Sequence, residues 1–140
     1  MYEKLKEHIK EYEGFSSLPY DCTAGFLTIG FGRNLEQRGI TKEEAEILLA
    51  NDIKIAENEI SRIIKDWEAL PEQAKIVLID LTYNLGLKKL LTFEKMLDAV
   101  DRRDWESAHS ELLDSKYARQ VKRRARINAS IFLSCLEDES

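Results

Sequence analysis

The chain has 140 residues, 44% hydrophobic and 34% charged, which supplies apolar material for one domain core and enough charge for solubility. A formal net charge of −5 argues against non-specific nucleic-acid binding by the chain as a whole. The first residues, Met1-Tyr2-Glu3-Lys4-Leu5-Lys6-Glu7-His8, lack the apolar stretch of a secretory signal, and no later run is long enough to span a bilayer; a cytosolic chain without stable membrane association is expected.

Tyr2, Leu5, Ile9 and Tyr12 recur at helical spacing and predict a short amphipathic helix that stops at Gly14. Glu13 then hangs at its C-terminal edge, where the backbone favours cations, so an acid placed there weighs toward function. From residue 15 to 40 the character changes. Gly25, Gly30, Gly32 and Gly39 crowd among Phe26, Thr28, Ile29 and Phe31, the pattern of a small twisted antiparallel sheet or hairpin. Thr41-Lys42-Glu43-Glu44 is a capping box. It opens a long helix through Ile64, with Ala45, Leu48, Leu49, Ile53, Ala56, Ile60 and Ile64 as its apolar stripe.

After Trp67 and Leu70, Pro71 fits the first turn of a helix whose Ala74, Ile76, Val77, Leu78, Ile79, Leu81, Tyr83 and Leu85 leave little polar surface. Such a helix belongs at the centre of a helical lobe. Gly86 closes it; Phe93, Met96, Leu97 and Val100 mark another, and Trp105, Ala108, Leu112 and Leu113 a further one. A last helix is expected from Val121 to Leu136, within the usual boundary error of about 2–4 residues. Lys116, Arg119, Lys122, Arg123, Arg124 and Arg126 follow one another without an acid among them, whereas the end, Glu137-Asp138-Glu139-Ser140, is acidic. Any anion the protein handles is expected to meet that basic segment.

These elements describe an α+β, mainly α chain of one domain: a small β-containing N-terminal lobe, a long bridging helix and a helical C-terminal lobe. The lobes are expected at about 12–64 and 65–140, with the first helix packing with the second lobe and a cleft between the two. Trp67, Phe93 and Trp105 read as core, and His8 as a solvated residue of the first helix. The two cysteines, Cys22 and Cys135, lack disulfide-framework or metal-ligand spacing. Cys135, in an apolar run, reads as a buried small hydrophobe.

Glu13, Cys22 and Thr28 set a carboxylate, a thiol and a hydroxyl across a single glycine-punctuated stretch. A neutral thiol is a poor base, but a thiolate is a strong nucleophile or a usable base; ionising Cys22 would need a cationic neighbour, and Arg33 is the candidate. Asp21 is one position away, and in a strand that shift turns a side chain to the opposite face. Asp21 is therefore expected to look away from a site that Cys22 faces.

Glu13-Gly14, followed by Tyr20-Asp21-Cys22-Thr23-Ala24-Gly25-Phe26-Leu27-Thr28-Ile29-Gly30-Phe31-Gly32-Arg33, resembles the phage-type lysozymes, the peptidoglycan-cleaving endolysins of glycoside hydrolase family 24. Their pattern is Glu-Gly, then Tyr-x-Asp-x-x-Gly-x-x-Thr-Ile-Gly-x-Gly-His. Cys22 stands where the aspartate is usual and Arg33 where the histidine is. Agreement continues through Ile40-Thr41-Lys42-Glu43-Glu44-Ala45, Tyr83-Asn84-Leu85-Gly86 and the regions of Trp105, Tyr117 and Arg123, so the resemblance covers nearly the whole chain.

The resemblance implies a lysozyme-like fold and an endo-acting hydrolase of the β-1,4 bond between N-acetylmuramic acid and N-acetylglucosamine. Glu13 would be the general acid, and Cys22 with Thr28 would present water, giving inversion. To stay protonated near neutral pH Glu13 needs a raised pKa, which burial in a cleft wall would supply; the arginine that the family sets against this glutamate falls at Arg123 and would pull the other way. Tyr83 and Asn84 would contact the sugar, and Arg126, on the same helical face as Arg123, would support the site or bind peptidoglycan carboxylates. No metal or cofactor is implied; the partner is bacterial peptidoglycan, the chain is expected to be a monomer, and it would wait in the host cytoplasm until a holin opens the membrane. Two alternatives stay open: a retaining reaction with Cys22 as nucleophile, and a non-catalytic cell-wall-binding module. Nucleic-acid binding through the basic segment is not expected, since no recognition motif accompanies it.

Overall fold

A computed structural model describes residues 1–138; of the acidic end, Glu139 and Ser140 lie outside the described residues. Helix α1 (Tyr2–Glu13) stops at Gly14, where its apolar spacing breaks off. Its expected apolar stripe of Tyr2, Leu5, Ile9 and Tyr12 is exposed along its whole length. What ties α1 down is its last turn: the Lys10 ammonium lies 5.4 Å from the centre of the Phe31 ring, and Phe15, just past the helix, packs on the same ring.

Strands β1 (Ser16–Asp21), β2 (Leu27–Gly30) and β3 (Arg33–Asn34) follow as a three-stranded antiparallel sheet in sequence order. The register sets Tyr20 opposite Thr28 and Asp21 opposite Leu27, with an irregularity between Ser16 and Tyr20. Pro19 lies in that irregular stretch; it has no amide to give a ladder, and β1 is an edge strand. A single helical turn, α2 (Leu35–Arg38), comes next, started by the Asn34 side chain accepting from the Gln37 amide at 3.0 Å.

The capping box forms as read: Thr41 Oγ1 accepts from the Glu44 amide at 3.1 Å, and Glu44 Oε1 accepts from the Thr41 amide at 2.8 Å. Helix α3 runs over Lys42–Ser61, three residues short of the expected end. The Ile63 and Ile64 amides both fold back onto the Ile60 carbonyl, which tightens the exit and still buries Ile64.

The chain divides into two compact units within α3, at Leu48/Leu49. The reason lies in what the two ends of α3 touch. Its first turn is tied to Arg33 of the first unit, whereas Ala56 and Ile60 farther along are buried in the second. In that second unit, α4 (Glu72–Leu85), α5 (Leu87–Leu90), α6 (Glu94–Asp101), α7 (Trp105–Leu113), α8 (Lys116–Gln120) and α9 (Lys122–Asp138) surround one apolar cluster. Ala74, Val77, Leu78 and Leu81 of α4 are fully buried in it, although Ile76, expected to join them, is half exposed. Trp105 stacks on Phe132 at 6.2 Å between ring centres, and Trp67 and Cys135 are buried as their apolar settings predict, while Phe93 packs on the cluster's edge. The fold is α+β and mainly α, and among the described residues the β structure lies in the first unit. No helix among the described residues is long and apolar enough to cross a membrane.

Candidate active site

Cys22 follows directly on β1, in which Tyr20 pairs with Thr28 and Asp21 with Leu27. Its amide donates to the Phe26 carbonyl at 3.0 Å, and its carbonyl accepts from the Gly25 amide at 2.8 Å, so the 22–26 turn closes around its own thiol. The amides of Phe26 and Ala24, followed by the Thr28 hydroxyl and the Gly25 amide, draw the thiol below its ordinary pKa against a desolvation effect that opposes them. Thr28, the buried residue of this sheet, also donates its hydroxyl to the Phe26 carbonyl at 2.8 Å.

The cation expected beside Cys22 is used elsewhere. Arg33 donates to both Glu44 carboxylate oxygens, at 3.0 and 2.5 Å, and to the Gly39 carbonyl at 3.0 Å. That fork, with the Thr41 amide, holds the Glu44 carboxyl far below the usual carboxylate range, at about 2. Arg33 therefore fastens the start of α3, and backbone dipoles, not a charge, polarise the thiol.

Glu13 lines a groove of about 340 Å³ with Gly14, Phe15, Ser16 and Tyr20. Its carboxylate lies against the backbone of Gly32, in the turn after β2. Glu13 is exposed, so the first unit by itself does not supply the burial expected of it. Tyr20 connects the two halves of this arrangement, since it lines the Glu13 groove and pairs with Thr28 across the ladder.

In the second unit, Tyr83 and Asn84 at the end of α4 share a groove of about 500 Å³ with Asp52 and Glu59 of α3. Arg123 and Arg126 are both exposed on α9. The residue between them that makes a fixed contact is Arg124: it grips both oxygens of Asp80, at 2.5 and 3.0 Å, and Asn128 adds a third bond at 2.9 Å. Burial would raise the Asp80 carboxyl, but these donors outweigh it and hold it below the ordinary range. Asp80 lies one helical turn before Tyr83 and Asn84, which makes this cluster a support for the end of α4. Tyr117 is buried nearby; burial pushes its hydroxyl up, against the pull of the Arg124 charge. Among the described residues, no group of three or more His, Cys, Asp or Glu is placed to hold a metal ion.

Comparison with known proteins gives the class. A match to the phage lysozyme family covers residues 10–127. The chain is 23% identical to "Probable T4-type lysozyme 1" of Dictyostelium discoideum over 89% of its own length and 91% of the relative's. It is 31% identical to "Endolysin" of Acyrthosiphon pisum secondary endosymbiont phage 1 over 75% of its length and 72% of that protein. It also aligns, at 25% identity over 95% of its length, with 28% of "Pre-baseplate central spike protein Gp5" of Enterobacteria phage T4. The chain belongs to the phage lysozyme family. That membership supports a muramidase-type function and a place among the glycoside hydrolases.

Proposed function

We propose that the protein is an endolysin-type muramidase that hydrolyses the β-1,4 bond between N-acetylmuramic acid and N-acetylglucosamine in peptidoglycan. Glu13 delivers the proton to the glycosidic oxygen, and Cys22 with Thr28 holds the attacking water, so the product inverts. The observation that carries this reading is the β1–β2 hairpin, which closes its turn on Cys22 through Phe26 and Gly25 and pairs Thr28 with Tyr20, a residue that lines the Glu13 groove. With its hydrogen on the Phe26 carbonyl, Thr28 Oγ1 is an acceptor, and a thiolate at Cys22 is a second. Two acceptors match the two hydrogens of one water and leave its lone pair for the anomeric carbon.

The same donors argue against direct attack by sulfur. A thiolate steadied by amides is easier to form but less nucleophilic, since nucleophilicity falls with pKa. Tyr83 and Asn84 offer an aromatic face and an amide to the sugar, and Arg123 and Arg126 offer charge to the substrate's carboxylates.

Purified cell walls test the proposal. Incubation is expected to release reducing ends that mass spectrometry identifies as muramic acid. Binding without release would instead establish a cell-wall-binding protein, and reducing N-acetylglucosamine would assign the wrong bond.

A further inference from the structure

We propose that Gly32 is a positioning residue for Glu13, its missing side chain being the seat on which the carboxyl rests. This rests on the reading of Glu13 as proton donor. A Cβ built at Gly32 would lie 2.5 Å from Glu13 Oε2, 2.8 Å from Cδ and 3.2 Å from Cγ, so the glutamate side chain lies across the space that any other residue would fill. At 2.5 Å the two atoms overlap, and one must move.

The seat is fixed from both sides. Phe31, the residue before it, is packed on Phe15 at 5.4 Å between ring centres and lies under the Lys10 ammonium. Lys10 and Phe15 flank Glu13 in sequence, so the same short stretch carries the carboxyl and grips the turn that supports it. The colliding group is the end of a flexible side chain. A methyl at Gly32 is therefore accommodated by swinging the carboxyl away, and the chemistry, more than the fold, records the change.

The hairpin contains its own control. Gly30 has a φ of +69° and Gly32 one of +79°, so alanine is strained at both, but a Cβ at Gly30 meets nothing within 4 Å. The experiment compares wild type, Gly32→Ala and Gly30→Ala by steady-state turnover of a soluble peptidoglycan oligomer and by NMR contacts between residue 32 Hα and Glu13 Hγ. Wild type and Gly30→Ala are expected to keep the NMR contact and kcat. Gly32→Ala is expected to lose the contact and roughly 100-fold in kcat, the scale of a 1 Å misplacement, with KM little changed. An absent contact in wild type, or equal kcat losses in the two variants, overturns the proposal. A wild type that releases no reducing ends instead sinks the reading of Glu13, and the role of Gly32 falls with it.

Discussion

The two units hold their shape by different means. Among the described residues the first buries only Thr28, and it is held by directional polar contacts: the Thr41–Glu44 box, the Arg33–Glu44 fork, the Asn34 cap and the Glu36 carboxylate on the Leu27 amide. The second is held by a contiguous apolar cluster from Ile60 to Cys135. Directional contacts can fix a thiol and a carboxylate at chosen angles without burying them; an apolar core supplies the bulk of the stability but no chemistry. Substitutions in the two units should accordingly part activity from stability.

The largest separation is expected at Glu13. Glu13→Gln should lower reducing-end release by about 10³-fold, within the range of a lost general acid, and leave the thermal midpoint unmoved. Phe132→Ala should do the reverse. Removing the ring stacked on Trp105 should cost about 3–5 kcal/mol in denaturant unfolding, with the surviving folded molecules still active. If Phe132→Ala abolished turnover at full folding, the division of labour between the units would be wrong.

Next in size is the contrast within the sheet. Cys22→Ser should reduce lysis sharply, whereas Asp21→Asn should leave it near wild type; turbidity loss of cell walls measures both. The reverse result would hand the role to Asp21. The smallest effect concerns Glu44. Its folded pKa of about 2 lies below the ordinary 4.5, so its contribution is fully present above pH 4.5 and is lost as pH falls through 2. Thermal scans should therefore show Glu44→Gln less stable than wild type at pH 5, with the gap closing toward pH 2.

Sequence reading succeeded where the governing interactions are local. The capping box and the stop at Gly14 both depend on residues a few positions apart. Three single-turn or near-single-turn helices, α2, α5 and α8, were missed because they are too short to show a period; two of them are announced only by the caps Asn34 and Ser115. The partner of Arg33 was misread because charge alone cannot choose between a nearby thiol and a carboxylate eleven residues on. Asp80 escaped notice inside the apolar pattern of α4, and with it the reason why Arg124, and not a neighbour, is the anchored arginine of α9.

The central claim is that Cys22 and Thr28 hold a water and that Cys22 does not itself bond to the sugar. Proton NMR of the anomeric signals, recorded before mutarotation on a soluble peptidoglycan oligomer, tests it directly. The α anomer should appear first; initial formation of the β anomer would contradict it and make Cys22 the nucleophile.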